Sequence, residues 1–293
     1  MRTEIIRDKS NSLDLRFATS ENADSAKRFL VLSNGRSEWL EKYFSLPADL
    51  KVGADTAFLT FDHRGQGASG GARAWIDHYD TYAQDMASVI DKATGGKPYN
   101  LVCHSMGGLI GLYAIMKGLI KPRCVVLSSP LIGMPNTPVP ATAAYHLSNV
   151  LTKCYLGFIN TGGAQYWKKS FEKNQQTHSA EKYKYIQNSP YPVPSATFAW
   201  VKASFEATQF ISQPENQAKL TMPLLVLCGT DEEIVDAQAL QRWAASATQN
   251  SKSDVEFHWI QDGLHELLFE SKPIYEQVLS LIRGWFDKKG FPV

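Results

Sequence analysis

The stretch Tyr99-Asn100-Leu101-Val102-Cys103-His104-Ser105-Met106-Gly107-Gly108-Leu109-Ile110-Gly111 constrains this chain most. Asn100 to Val102 read as a short buried strand. From Met106 the apolar spacing becomes helical, with Leu109, Ile110, Leu112, Tyr113 and Met116 available for one face. Ser105 stands at the switch. A sharp, strained strand-to-helix turn lifts such a serine hydroxyl out at the sheet edge, and its flanking residues must be small. Gly107 meets that requirement on one side. On the other, the pattern Gly-x-Ser-x-Gly has its first glycine replaced by Cys103, which is also small.

Around this stretch, short apolar runs alternate with amphipathic segments. Arg28 to Ser33, Thr56 to Phe61 and Arg123 to Ser128 read as strands covered on both faces. Ile76 to Lys92 reads as a helix with Tyr79, Tyr82, Met86, Val89 and Ile90 on one side. Glu4 to Asp8 and Leu13 to Thr19 suit an opening antiparallel hairpin. Trp39 to Phe44 can start a helix, with Ser37 as its cap. Asp62-His63-Arg64-Gly65-Gln66-Gly67 is too glycine-dense for a helix and reads as a tight loop. Alternation of this kind implies a mostly parallel sheet with helices on both faces. In such sheets ligands bind at the carboxyl ends of the strands.

The alternation stops near Pro130. From 135 to 222 the chain carries prolines at 135, 138, 140, 190, 192, 194 and 214, and many aromatics, among them Tyr145, Tyr155, Phe158, Tyr166, Trp167, Phe171, Trp200, Phe205 and Phe210. This reads as a mostly helical inserted subdomain, a cap, between core parts 1–134 and 223–293. Most of its aromatics pack its own small core, and a minority line an apolar pocket. The segment holds eight Lys and four Glu with no Arg or Asp. That excess of about +4 suits a weakly cationic rim facing anionic headgroups. The sheet pattern resumes at Met222 to Cys228. A helix follows over Ala237 to Ala245, then a strand over Asp254 to Ile260 and a last helix over about Pro273 to Lys288.

Composition sets bounds on function. A net charge of +1 over 293 residues gives no overall field for nucleic acid. Cys103, Cys124, Cys154 and Cys228 show no metal-ligand spacing, and no metal or organic cofactor is expected. Reduced thiols and the lack of an apolar leader at Met1 to Asp8 suit a cytoplasmic protein. Transient contact of the cap with a membrane surface fits its lysines, and no protein partner is indicated.

Three polar residues, Ser105, Asp231 and His265, each follow a strand, in that order along the chain. A serine hydroxyl needs a base within reach, and the base needs an acid to hold its tautomer. Asp231, directly after Gly229-Thr230, best fits the strand tip. Glu232, Glu233 and Asp236 are nearby, and Asp262 is an alternative partner for His265. His104 is expected to point into the scaffold, His63 to brace the Gly-rich loop, and His258 to lie within a strand. The Met106 N–H, at a helix N-terminus, and the Arg36 N–H, in the loop after Arg28 to Ser33, are the expected oxyanion donors.

These residues resemble the α/β-hydrolase superfamily, and within it the lysophospholipase and monoacylglycerol-lipase group of serine hydrolases. The resemblance rests on Asn34-Gly35-Arg36-Ser37-Glu38 with Lys42-Tyr43, on Phe61 to Gly67, on Ile76 to Asp85, on His104 to Gly108, on Asp231, and on His265-Glu266. Asn174, Thr177-His178-Ser179 and Trp200-Val201 resemble the cap of the lysophospholipase L2 branch. Cys103 and Asn34 depart from the pattern, which has glycine and often histidine there. The resemblance implies the α/β-hydrolase fold and cleavage of a single-chain glycerolipid ester, lysophospholipid or monoacylglycerol, through an acyl-enzyme. Two alternatives remain: a general carboxylesterase or thioesterase for small acyl substrates, and an inactive hydrolase fold used as a binding module.

Overall fold

A computed structural model describes residues 1–8, 13–134, 139–163, 165 and 168–293. Pro135, Pro138, Tyr166, Trp167 and the expected start of the cap at residue 135 lie outside the described residues. Eight strands form one sheet: β1 (Arg2–Asp8), β2 (Leu13–Thr19), β3 (Arg28–Ser33), β4 (Thr56–Phe61), β5 (Tyr99–His104), β6 (Val125–Ser128), β7 (Leu224–Gly229) and β8 (Val255–Ile260). Their spatial order is β1-β2-β4-β3-β5-β6-β7-β8. β1 and β2 are antiparallel to their neighbours, and β4 through β8 with β3 run parallel. This is the α/β-hydrolase fold.

Apolar runs form these strands because both sheet faces are covered. Phe29 and Val31 of β3, Leu59 of β4 and Leu101 of β5 enter one core. Their alternating neighbours Leu30, Leu32, Phe58 and Val102 enter the other. The helices are α1 (Leu46–Asp49), α2 (Tyr79–Thr94), α3 (Met106–Met116), α4 (Ala141–Lys153), α5 (Ala180–Gln187), α6 (Phe198–Ser212), α7 (Pro214–Gln217), α8 (Ala237–Asn250) and α9 (Lys272–Lys288). Residues of α2, α3 and α8 fill the first core. Those of α1 and α9 fill the second.

Two expectations change. Every residue of α3 is buried, so this helix has no solvent face and is apolar all round. The segment after Trp39 is only a single 3-10 turn, Leu40–Tyr43, and Ser37 does not cap it. Ser37 takes a left-handed backbone at φ 67°, and its N–H is given to Gln66 Oε1 at 2.8 Å. Between β6 and β7 lie α4 to α7 and irregular chain, with no sheet strand among the described residues.

The turn around Ser105 is held by close packing. Ser105 has φ 51° and ψ −120°, a strained conformation for a non-glycine residue. Its N–H donates to Ser128 O at 3.1 Å, and its C=O accepts the Leu131 N–H at 2.9 Å. A Cβ on Gly107 would overlap the carbonyl oxygens of Ser33 and Asn34. Cys103 is accommodated because Gly111 faces its sulfur, where a Cβ would sit 2.8 Å away. We therefore expect Gly107→Ala to cost about 1–3 kcal/mol by overpacking, read as a lowered denaturant midpoint at unchanged slope. An unchanged midpoint would contradict this packing.

Candidate active site

Ser105 and His265 come from the carboxyl ends of β5 and β8, and Glu232 from that of β7. Ser105 Oγ lies 2.9 Å from His265 Nε2, and His265 Nδ1 lies 2.7 Å from Glu232 Oε2. An ionised carboxylate can only accept, so Nδ1 carries the proton and the neutral ring offers Nε2 to the serine hydroxyl. The hydroxyl donates to Nε2, the arrangement that removes a proton from an attacking alcohol.

The carboxylate bonded to His265 is not the expected one. Asp231 makes no hydrogen bond with His265. It is exposed, its N–H donates to Gly263 O at 3.1 Å, and its carboxylate accepts the Thr230 hydroxyl at 3.2 Å. The loops after β7 and β8 touch at Gly229 and Gly263, where a Cβ on Gly229 would overlap the Gly263 carbonyl. That approach fixes the backbone of residue 231 at the rim, so the next side chain, Glu232, turns inward. Glu232 Oε1 accepts the N–H groups of Ile234 and Val235 at 2.7 and 3.1 Å. The longer side chain spans the extra residue. Glu233 instead accepts from Gln175, and Asp236 caps α8 through Ala239 N–H. Asp262 accepts from Gln261 and is not bonded to His265.

Charge balance follows from this geometry. Burial works against the charged imidazole of His265, but the charge and hydrogen bond of Glu232, joined by Glu266 and Glu38, outweigh it and raise its pKa above 6.5. Burial likewise opposes ionisation of Glu232, yet His265 and two backbone N–H groups lower its pKa. His104 does not simply point away. Its ring lies 4.8 Å from that of His265, its Nδ1 donates to Ser128 O at 3.0 Å, and burial lowers its pKa. His63, pushed down to about 4 by burial, bonds Ser33 Oγ and Asn34 O, so it braces the neighbouring 34–37 loop rather than its own. His258 lies in β8 beside Glu256.

The loop after β3 passes close to Ser105. A Cβ on Gly35 would sit 3.1 Å from Ser105 Cβ. The Gly35 N–H is taken by Glu38. The Arg36 guanidinium donates to Pro194 O and lies 5.4 Å from the Trp200 ring. Met106 begins α3, so its N–H has no intrahelical acceptor. From the chain between β6 and β7, Gln175 O and Gln176 O accept the N–H groups of His265 and Glu266 at 3.4 and 2.9 Å. Glu270 accepts the His178 N–H and Nδ1–H, strapping residues 174–178 to the histidine loop. Asn174 Oδ1 holds the turn by accepting from Gln176 and Thr177.

Among the described residues, one group brings metal-type ligand atoms within 4.8 Å: Glu38, His104 and Glu266. The Lys42 ammonium bonds both carboxylates there, so the cation at this place is a side chain.

Comparison with known proteins places these features in context. A family model, Hydrolase_4, described as serine aminopeptidase, S33, matches residues 24–272. The chain is 29% identical to a probable lysophospholipase L2 of Haemophilus influenzae, covering 90% of this chain and 85% of that protein. It is 27% identical to the monoglyceride lipase of Homo sapiens, covering 90% and 83%. A soluble variant of monoglyceride lipase from Saccharomyces cerevisiae, solved with a substrate analog, superposes with a TM-score of 0.77 at 18% identity, over 99% of this chain and 97% of that one. A thermostable carboxyl esterase from Bacillus coagulans gives 0.78 at 13% identity, over 98% and 99%. The resemblance to the lysophospholipase and monoacylglycerol-lipase group, read from the motifs, is borne out by these relatives.

The acid assignment has a pH signature. Acylation of Ser105 by a fluorophosphonate needs neutral His265, so its rate should rise with pH through a midpoint above 6.5. Glu232→Gln removes the charge that raises this pKa. It should move the limb to lower pH and cut the plateau by about 10³-fold or more. Asp231→Asn should leave both unchanged, and the opposite pattern would restore Asp231 as the acid.

Proposed function

This chain belongs to the Hydrolase_4 family (serine aminopeptidase, S33), and on that premise we propose that it is a serine hydrolase cleaving carboxylic esters of single-chain glycerolipids. The observation that carries the reading is the hydrogen-bonded chain from Ser105 through His265 to Glu232. Ser105 attacks the acyl carbonyl while His265 Nε2 takes its proton. Glu232 steadies the imidazolium that forms. The N–H groups of Met106 and Arg36 receive the oxyanion, with the positive end of α3 behind the first. His265 returns the proton to the leaving alcohol, and the acyl group stays on Ser105 as an ester. A water that gives its proton to His265 then releases the fatty acid and restores the serine.

Residues 135–222 act in this reading as a cap. Ser105 is only 9% exposed and His265 4%. In this reading the segment shifts to admit a long-chain ester to the hydroxyl. Exposed apolar side chains gather on one stretch of that segment: Val139, Leu147, Val150, Tyr155, Phe158 and Ile159. No described helix is long and apolar enough to cross a membrane. We assign to this stretch a transient, one-sided contact with the lipid surface that presents the substrate.

The function is tested by a panel of lysophospholipids, monoacylglycerols, p-nitrophenyl esters of increasing acyl length and an aminoacyl p-nitroanilide. We expect turnover of the long-chain glycerolipid esters, lost in Ser105→Ala. Turnover confined to short soluble esters, or to the anilide, would contradict the substrate class. For the surface contact, Leu147→Asp with Val150→Asp should reduce sedimentation with anionic vesicles at least threefold. It should leave turnover of a short soluble ester intact, and unchanged sedimentation would refute the contact.

A further inference from the structure

Glu38, Lys42, Tyr43 and Glu266 recur in the motifs that mark this chain, yet the serine, histidine and acid leave them without a role. They meet in one place. Lys42 Nζ bonds Glu38 Oε1 and, at 2.7 Å, Glu266 Oε2. Tyr43 donates its hydroxyl to Glu38 Oε1 at 2.7 Å, and the Gly35 N–H donates to Glu38 Oε2. The Lys42, Glu38 and Glu266 side chains are 1%, 5% and 4% exposed. Burying three ions is costly, and apolar residues of like volume are often as stable or more so. A cluster kept at that cost invites the question of what it holds in place.

We propose that the Glu38–Lys42–Glu266 cluster is a positioning device that fixes the separation between the oxyanion-donor loop and the histidine loop across Ser105. The inference rests on Ser105 being the nucleophile. Each end of the cluster grips one of the two loops. At one end Glu38 holds the Gly35 N–H, which sets the peptide orientation of the loop that carries Arg36. Gly35 lies against Ser105, so a small shift of this loop moves the donor relative to the reacting carbonyl. At the other end Glu266 directly follows His265, and its N–H is pinned to Gln176 O. Lys42 joins the two carboxylates. Tyr43, whose pKa burial and Glu38 raise well above 10, stays a neutral donor and fills the remaining acceptor site.

Charge supports the same reading. Burial opposes ionisation of Glu38, but Lys42 and His104 hold its pKa at about 2. Burial opposes the Lys42 ammonium, and the two carboxylates outweigh it. Two carboxylates against one ammonium leave one negative charge beside His104 and His265, which favours the imidazolium formed as Ser105 attacks.

The decisive variant is the triple Glu38→Gln, Lys42→Met, Glu266→Gln. It removes all three charges together, so no ion is left buried without a partner, and the fold should survive. Active sites are counted with a fluorophosphonate, so that only competent molecules enter the rate. With a p-nitrophenyl ester, kcat per titrated site should fall by about 10²-fold while KM stays within threefold, the cost of a misplacement near 1 Å. Affinity for an alkyl trifluoromethyl ketone, whose hemiketal adduct with Ser105 carries the oxyanion, should fall in parallel. If the triple variant does not fold, Glu38→Gln alone is read by the same two measurements. A kcat and ketone affinity within threefold of wild type, or a loss confined to KM, overturns the positioning role. A wild type that neither labels nor turns over any ester overturns the functional reading itself, and with it this inference.

Discussion

The rest of this structure depends on one geometric constraint: three loops, each at the carboxyl end of a parallel strand, must deliver their side chains to one point. The β5 loop gives Ser105, the β7 loop Glu232 and the β8 loop His265. Parallel order makes this convergence available, because every strand ends at the same rim. Strand pairing sets the lateral spacing, and contacts between loops set the rest. Gly229 against Gly263 brings the acid loop onto the histidine loop, and Gly107 against the carbonyls of Ser33 and Asn34 brings the serine turn onto the donor loop. The strain at Ser105 is held by these contacts and by hydrogen bonds with Ser128 of β6 and with Leu131 just beyond it.

Polar groups behind the rim take up the remaining freedom. His63 and Gln66 of the Gly-rich loop hold Asn34 O and Ser37 N–H. Asp62, fully buried, accepts from Arg16 and from the N–H groups of Leu40 and Ala68. Arg64 forms a two-point bond with Asp85 of α2, tying the loop to the helix beneath it. The 61–67 motif thus acts as a brace for the donor loop. Its residues make no hydrogen bond to Ser105, yet they hold the neighbouring backbone in place.

The fold was legible because buried parallel strands leave an unambiguous trace. Arg28–Ser33 and Thr56–Phe61 match their apolar runs end to end, since both faces need apolar residues. The placement of Ser105 and His265 was legible for a related reason: each follows such a run at a turn. The carboxylate beside His265 was not. Strand ends locate a residue to within one position, and along an irregular loop one position turns a side chain from the interior to solvent. Asp231 fits the sequence pattern because it is the first carboxylate past the tip, directly after Gly229-Thr230. What chose Glu232 was the contact between two glycines, 229 and 263, far apart in sequence. A local trace existed: Ile234 and Val235 follow at the spacing at which a carboxylate can accept their N–H groups. The ion cluster was visible only as scattered motif letters, because Glu38 and Glu266 meet through Lys42 rather than along the chain.

The proposed reaction passes an acyl group through Ser105. The most direct measurement is peptide mass analysis of the chain quenched in acid while it turns over a long-chain p-nitrophenyl ester. We expect one acyl mass increment, located on Ser105 and accumulating in a burst. Sustained hydrolysis with no acylated peptide, or with the acyl group on another residue, would contradict it.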